Sequence, residues 1–274
     1  MKKTLITLMA LAGMASATEM TDGLVAWWTF DNGATGYTSY TNFTGHVDTG
    51  LSTNHMHTEG GVDGNGYIST HYQTVDENGN PKAQAMDFYT SMSGMNISAS
   101  SFTLSFKVKG VTADYRTLFS MNIGSLGQAN MQLENSNNGS DTCIYLPNNR
   151  TLELTEDAAR AAMRGSDGWA NVILTGDGTT LTLYVDDFVA TFDYSGTTGD
   201  LSNFQLGSLW GDGSRRVEAQ YDDLAIWNRV LSTEEVSLLS KGAVADGTLT
   251  IPEPTTATLS LLALAGLAAR RRRK

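Results

Sequence analysis

The sequence predicts an all-β globule, on three observations. Short runs rich in Val, Ile, Leu, Thr, Tyr and Phe recur between clusters of Gly, Asn, Asp and Ser, the signature of strands and turns. Phe102-x-Leu104-x-Phe106-x-Val108 alternates with the period of two of a half-buried strand. Many such runs joined by short turns predict a sandwich or barrel around one core.

Taken in order, residues 24–30, 101–109, 116–121, 170–175, 180–185 and 221–227 read as strands. Thr175-Gly176-Asp177-Gly178 is a tight turn joining two of them, with Gly free to take positive φ. The sole cysteine, Cys143, sits in the strand-like stretch Thr142-Cys143-Ile144-Tyr145-Leu146 and reads as a buried thiol, so no intramolecular disulfide forms. Two helices are expected. Ser232-Thr233-Glu234-Glu235 is a capping box, Leu231 and Val236 are placed as its hydrophobic staple, and Gly242 ends the helix. Residues 155–164 form the second, capped by Thr155 and stopped at Gly165, with the acids of Glu153-x-x-Glu156-Asp157 at its N-terminus.

Both ends carry sorting information. Met1-Lys2-Lys3, an apolar stretch over residues 5–14 and Ala15-Ser16-Ala17 have the order of a signal peptide. Residues 1–17 are therefore expected to be removed by signal peptidase, leaving Thr18 as the mature N-terminus. Residues 251–274 comprise Pro252-Glu253-Pro254, a short apolar helix over 255–269, and the basic tail Arg270-Arg271-Arg272-Arg273-Lys274. About 20 residues span a bilayer; this helix has fifteen, so the arginines that resist translocation are its main stop. The arrangement resembles the PEP-CTERM sorting signal. That resemblance implies an exosortase-type protease as partner, transient anchoring in the inner membrane, and delivery to the cell surface, outer membrane or extracellular matrix.

Between these ends, residues 18–250 read as one domain, with no linker-like composition or internal repeat. The chain's net charge is −11. Its ends hold seven of the 18 basic residues and one of the 29 acidic ones, which leaves the body at −17. Such a surface repels nucleic acid and anionic membrane. It suits divalent cations, and it equally suits plain solubility.

The motifs Gly23-Leu24-Val25-Ala26-Trp27-Trp28-Thr29-Phe30-Asp31, Gly64-Asn65-Gly66-Tyr67-Ile68, Phe102-Thr103-Leu104-Ser105-Phe106, Gly168-Trp169-Ala170-Asn171-Val172, Tyr184-Val185-Asp186-Asp187 and Tyr221-Asp222-Asp223-Leu224-Ala225-Ile226-Trp227-Asn228-Arg229 follow one another in order. Together they resemble the laminin-G-like jelly roll of the concanavalin A-like lectin/glucanase superfamily. The resemblance implies a jelly-roll β-sandwich with paired first and last strands, and a core position for Trp169. Asp187 departs from it where the family often has Gly. The long polar segment 42–99 departs too, and predicts an extra loop or hairpin.

Site candidates follow. Asp222, Leu224 and Ile226 share one face of an ideal strand, which brings the Asp222 carboxylate toward the core. Calcium held with Asp31 is one way to satisfy it; backbone N–H groups, Arg229 or Arg216 are others. His55-Met56-His57 can clip a Zn or Cu ion or can be a solvated loop. Trp27 and Trp28, being consecutive, face opposite sides. Trp210, before Gly211-Asp212-Gly213, is the candidate for stacking on a sugar. The Glu-x-Asp-x-x-Glu string of the superfamily's retaining glucanases, which sets two carboxylates about 5.5 Å apart, does not occur. The expectation is a non-catalytic binder of glycan or exopolymer. Its rivals are a structural matrix component without a specific ligand and a divergent glycoside hydrolase.

Overall fold

The computed structural model describes residues 20–30, 56–57, 59–62, 66–75, 81–85, 88–90, 92, 95–110, 116–135, 140–146, 150–154, 168–207, 217 and 219–245. The signal peptide, the sorting segment and the helix expected over 155–164 lie outside these residues. The chain opens with β1 (Leu24–Trp28), β2 (Met56–His57), β3 (Tyr67–Ser69), β4 (His71–Val75), β5 (Pro81–Ala85) and β6 (Phe88–Thr90). Next come β7 (Phe102–Lys109), β8 (Arg116–Ile123), β9 (Gly127–Asn135), β10 (Ser140–Leu146) and β11 (Arg150–Leu154). It closes with β12 (Ala170–Gly176), β13 (Thr180–Val185), β14 (Phe188–Asp193), β15 (Leu201–Leu206), β16 (Gln220–Trp227) and helix α1 (Thr233–Ser240).

These strands make the expected jelly-roll-like sandwich of antiparallel sheets. Sheet 1 runs β14-β13-β12-β7-β16-β3-β2, with β1 also paired to β16. Sheet 2 runs β11-β10-β9-β8-β15-β6. All six expected strands form, their ends displaced by at most two residues. The first and last strands pair, Trp28 lying opposite Leu224. The polar 42–99 segment supplies the predicted extra hairpin, β4 with β5, as well as strands for both sheets. Glu153 belongs to β11 opposite Cys143, rather than to a helix N-terminus.

The main core lies between the sheets. Even-numbered residues of β7 (Phe102, Leu104, Phe106, Val108) point into it. Phe106 meets Phe119 of sheet 2 edge-on at 5.6 Å, and Phe119 stacks on Phe204 at 6.1 Å. Each such buried ring contributes about 1.5–3 kcal/mol by removal from water. Tyr221 reaches across to donate its hydroxyl to the Leu118 carbonyl at 2.9 Å, so its polar end is satisfied inside the core. The β12–β13 turn is as read: Gly178 takes φ 89, and the Asp177 carboxylate accepts the amides of Thr179 and Thr180.

Helix α1 follows its sequence signals closely. Ser232 Oγ accepts from the Glu235 amide at 3.3 Å, and Glu235 Oε2 accepts from the Ser232 amide at 2.7 Å. At the other end Gly242, at φ 97, donates to the Leu239 carbonyl, and Ala243 donates to that of Leu238. That is a Schellman stop. The helix packs on the outer face of sheet 1 through a second apolar cluster, which includes Met20, Ile173, Ala225, Trp227, Leu231, Val236 and Leu239. No described helix is long and apolar enough to cross a membrane.

Candidate functional site

The outer face of sheet 1 carries the chemistry. Odd-numbered residues of β7 (Thr103, Ser105, Lys107, Lys109) face outward, because their even neighbours fill the core. Antiparallel register sets Asp222 directly opposite Lys107, so Asp222 faces outward as well. The expected common face of Asp222, Leu224 and Ile226 is thereby corrected. Leu224 and Ile226 are in the core, but the register between β16 and β7 shifts between Asp222 and Ala225. Asp223 occupies the extra position at φ 47, a left-handed conformation that Asp tolerates better than most residues. The bulge breaks the period of two and turns two successive carboxylates outward.

Each carboxylate has its own donors. Asp222 Oδ2 accepts the Val62 amide at 2.8 Å and Oδ1 the Asp223 amide at 2.9 Å. Backbone N–H groups therefore meet it, while Arg229 is engaged elsewhere and Arg216 lies outside the described residues. Val62 can come so close because Gly61 precedes it: a Cβ there would overlap the Gly66 carbonyl oxygen and crowd Asp222 Oδ2. Asp223 Oδ2 forms an ion pair at 2.9 Å with Lys107, whose side chain is 3% exposed, and Asp223 Oδ1 accepts from Trp27 Nε1 at 3.1 Å. Lys107 also donates to the Gly242 carbonyl at 3.1 Å.

This ion pair belongs to a seam that ties the C-terminal segment onto the sheet. Thr103 donates to the Arg229 carbonyl and accepts the Leu231 amide. Asn171 donates to the Ser240 carbonyl and to Asp186. Arg229 grips Glu235 with two bonds of 2.6 and 2.8 Å. Burial by itself would raise the Glu235 pKa, but the Arg229 guanidinium and the Ser232 amide outweigh it and hold the carboxyl below its ordinary range.

The tryptophans divide by face. Trp28 is fully buried in the main core, and Trp27 faces outward to Asp223, as consecutive strand residues must. Trp227 is buried under the C-terminal segment and donates to the Met20 carbonyl at 2.7 Å. Trp169 does not occupy the core position that the resemblance implied. Ala170, the first residue of β12, points inward, so Trp169 lies outward and half-buried. There it meets Tyr67 edge-on at 5.9 Å, with the Lys109 ammonium 5.9 Å from its ring centre. Burial raises the Tyr67 phenol pKa. Alternation marks Lys107 and Lys109 alike as outward; nothing in the sequence tells the covered lysine from the open one.

Asp31, Trp210, Pro252, Glu253, Pro254 and Arg270 to Arg273 lie outside the described residues. So do His46 and His55, while His57 and His71 fall in β2 and β4. Among the described residues no three His, Cys, Asp or Glu side chains gather at metal spacing.

A search of curated proteins finds no match. Among solved structures, the chain is similar to the binding domain of Paraclostridial Mosquitocidal Protein 1. The TM-score is 0.54 at 16% identity, over 81% of this chain and 52% of that one. It is also similar to the Botulinum Neurotoxin serotype G binding domain, with a TM-score of 0.53 at 13% identity, over 79% and 50%. It thus spans about half the length of these two structures. A looser likeness, at TM-score 0.45 and 16% identity, is to domain 4 of a Geobacillus stearothermophilus extracellular arabinanase in complex with arabinotriose, over 79% and 98%. The family model Laminin_G_3 matches residues 61–237, from the loop that contacts Asp222 to helix α1. The chain belongs to this family, in the concanavalin A-like lectin/glucanases superfamily.

Proposed function

We propose that this chain is an exported, non-catalytic glycan-binding protein of the cell surface or extracellular matrix. The observation that carries the reading is a lectin-type sandwich whose described buried carboxylates are engaged as structural acceptors. Asp222 is held by two amides, Asp223 by Lys107 and Trp27, and Glu235 by Arg229 and Ser232. A general acid needs a raised pKa, whereas that of Glu235 is lowered. Signal peptidase and an exosortase-type protease are the proposed processing partners, from the residue order at the two ends.

A glycan array probed with the full chain tests the binding. Retention of defined glycans, reduced by Trp210→Ala, is the expected result. A blank array would favour a structural matrix component, and β-glucan hydrolysis abolished by a single Glu→Gln change would establish an enzyme.

Calcium is proposed at Asp31 with Asp222. Strand β1 runs beside β16 as far as Trp28 opposite Leu224, and in sequence Trp28 is three residues from Asp31 and Leu224 two from Asp222. Calcium takes oxygen ligands, and carboxylates such as those of Asp31 and Asp222 are among its usual donors. Because an ion that binds only the folded state stabilises it, chelator is expected to lower Tm and added calcium to restore it. An unchanged Tm would remove the proposal.

A further inference from the structure

We infer that the open end of the outer face of sheet 1, formed by Tyr67, Lys109, Trp169 and Gln220, binds an acidic glycan through its uronate units. This rests on the glycan-binding reading and adds to it a place among the described residues and a ligand class. Register puts these residues together. Gln220 is paired with Lys109, and Tyr221 with both Val108 and Ile68. Tyr67 therefore falls on the outward side of β3, one position from Ile68. Trp169 precedes Ala170, the partner of Val108, and falls on the same side. The two rings approach to 5.9 Å from the far sides of β7 and β16, so their side chains reach across those strands.

All four residues are half-exposed, whereas Ser105, Lys107, Asn171 and Trp227 on the same face are buried under the C-terminal segment. Among the described residues no side-chain hydrogen bond holds the Lys109 ammonium, the Trp169 indole N–H or the Gln220 amide. Two residues away, Lys107 shows what this chain does with a lysine that serves structure: it is buried and given two acceptors.

The unspent groups define the ligand. An ammonium and an indole N–H only donate, and an amide can donate too, so the complement is rich in acceptors. A carboxylate makes the strongest bond to an ammonium. Aromatic rings beside these donors suit a flat, C–H-rich surface with a polar rim. A hexuronate ring supplies both features in one unit. The acidic body does not oppose this at contact range, because repulsion between exposed charges is largely screened beyond about 8 Å at physiological salt.

The test is calorimetric titration of the full chain with trigalacturonate and with its neutral methyl ester, alongside the glycan array. The acid is expected to bind about tenfold more tightly than the ester, the worth of one charged hydrogen bond. Lys109→Gln should erase that preference, and Trp169→Ala should abolish binding of both without changing the melting midpoint by more than a few degrees. Equal affinity for acid and ester would overturn the uronate assignment. Binding indifferent to both substitutions would overturn the site while leaving the glycan reading intact. No binding to any glycan by the unaltered chain would overturn both.

Discussion

The two ends of one sheet face received similar residues and opposite fates. At the covered end Lys107 and Trp227 lie under the C-terminal segment, with every named polar atom given a partner: Asp223 and Gly242 for the lysine, Met20 for the indole. At the open end Lys109 and Trp169 have each other and Tyr67. Desolvation makes the difference. A buried ammonium without an acceptor costs several kcal/mol, so where the cover falls the sheet supplies the Asp223 carboxylate and the cover the Gly242 carbonyl. Where no cover falls, water satisfies the donors and they stay available to a ligand.

That contrast can be broken by substitution. Trp227→Ala should cost about 4 kcal/mol, through lost burial and the cavity left in the second cluster. Trp169→Ala should cost about 1 kcal/mol or less, as for a surface change. Urea unfolding of the two variants compares them directly, and equal losses would mean the ends do not differ. Next in size is Lys107→Ala, expected to cost about 3 kcal/mol because it deprives the buried Asp223 carboxylate of its counter-charge. Lys109→Ala should change stability by about 0.5 kcal/mol or less.

The smallest effect sharpens the comparison through pH. The Glu235 carboxyl is held below its ordinary range in the folded chain. Its contribution is therefore present above the unfolded value of about 4.3 and is lost as pH falls through the depressed folded value. Melting curves of the parent and of Glu235→Gln should differ near neutrality and converge in acid. The Lys109→Gln variant should track the parent throughout.

Much of this was legible in advance. The alternation over residues 102–108 assigns β7 its inner and outer faces, and Ser232-x-x-Glu235 with Gly242 delimits α1 at both ends. These signals are local, since a capping box or a two-residue period is complete within a few residues. The site was harder to read. Asp223 looks like any strand residue, and only the mismatch with β7 shows that it is a bulge which turns Asp222 outward. The resemblance put Trp169 in the core, and β12 itself could not correct it from sequence: both of its faces are covered, so no alternation marks which side the preceding residue takes.

The sequence by itself determined the strands, the turn at Gly178 and the capped helix, because short-range sterics and hydrogen bonding specify them. Tertiary structure decided which outward-facing residues are roofed over. The donors of Thr103, Lys107 and Asn171 find their acceptors more than 65 positions away along the chain, at Arg229, Gly242 and Ser240. No local pattern encodes a contact across that separation. It exists only once the last strand has paired beside β7 and brought the C-terminal segment over the sheet.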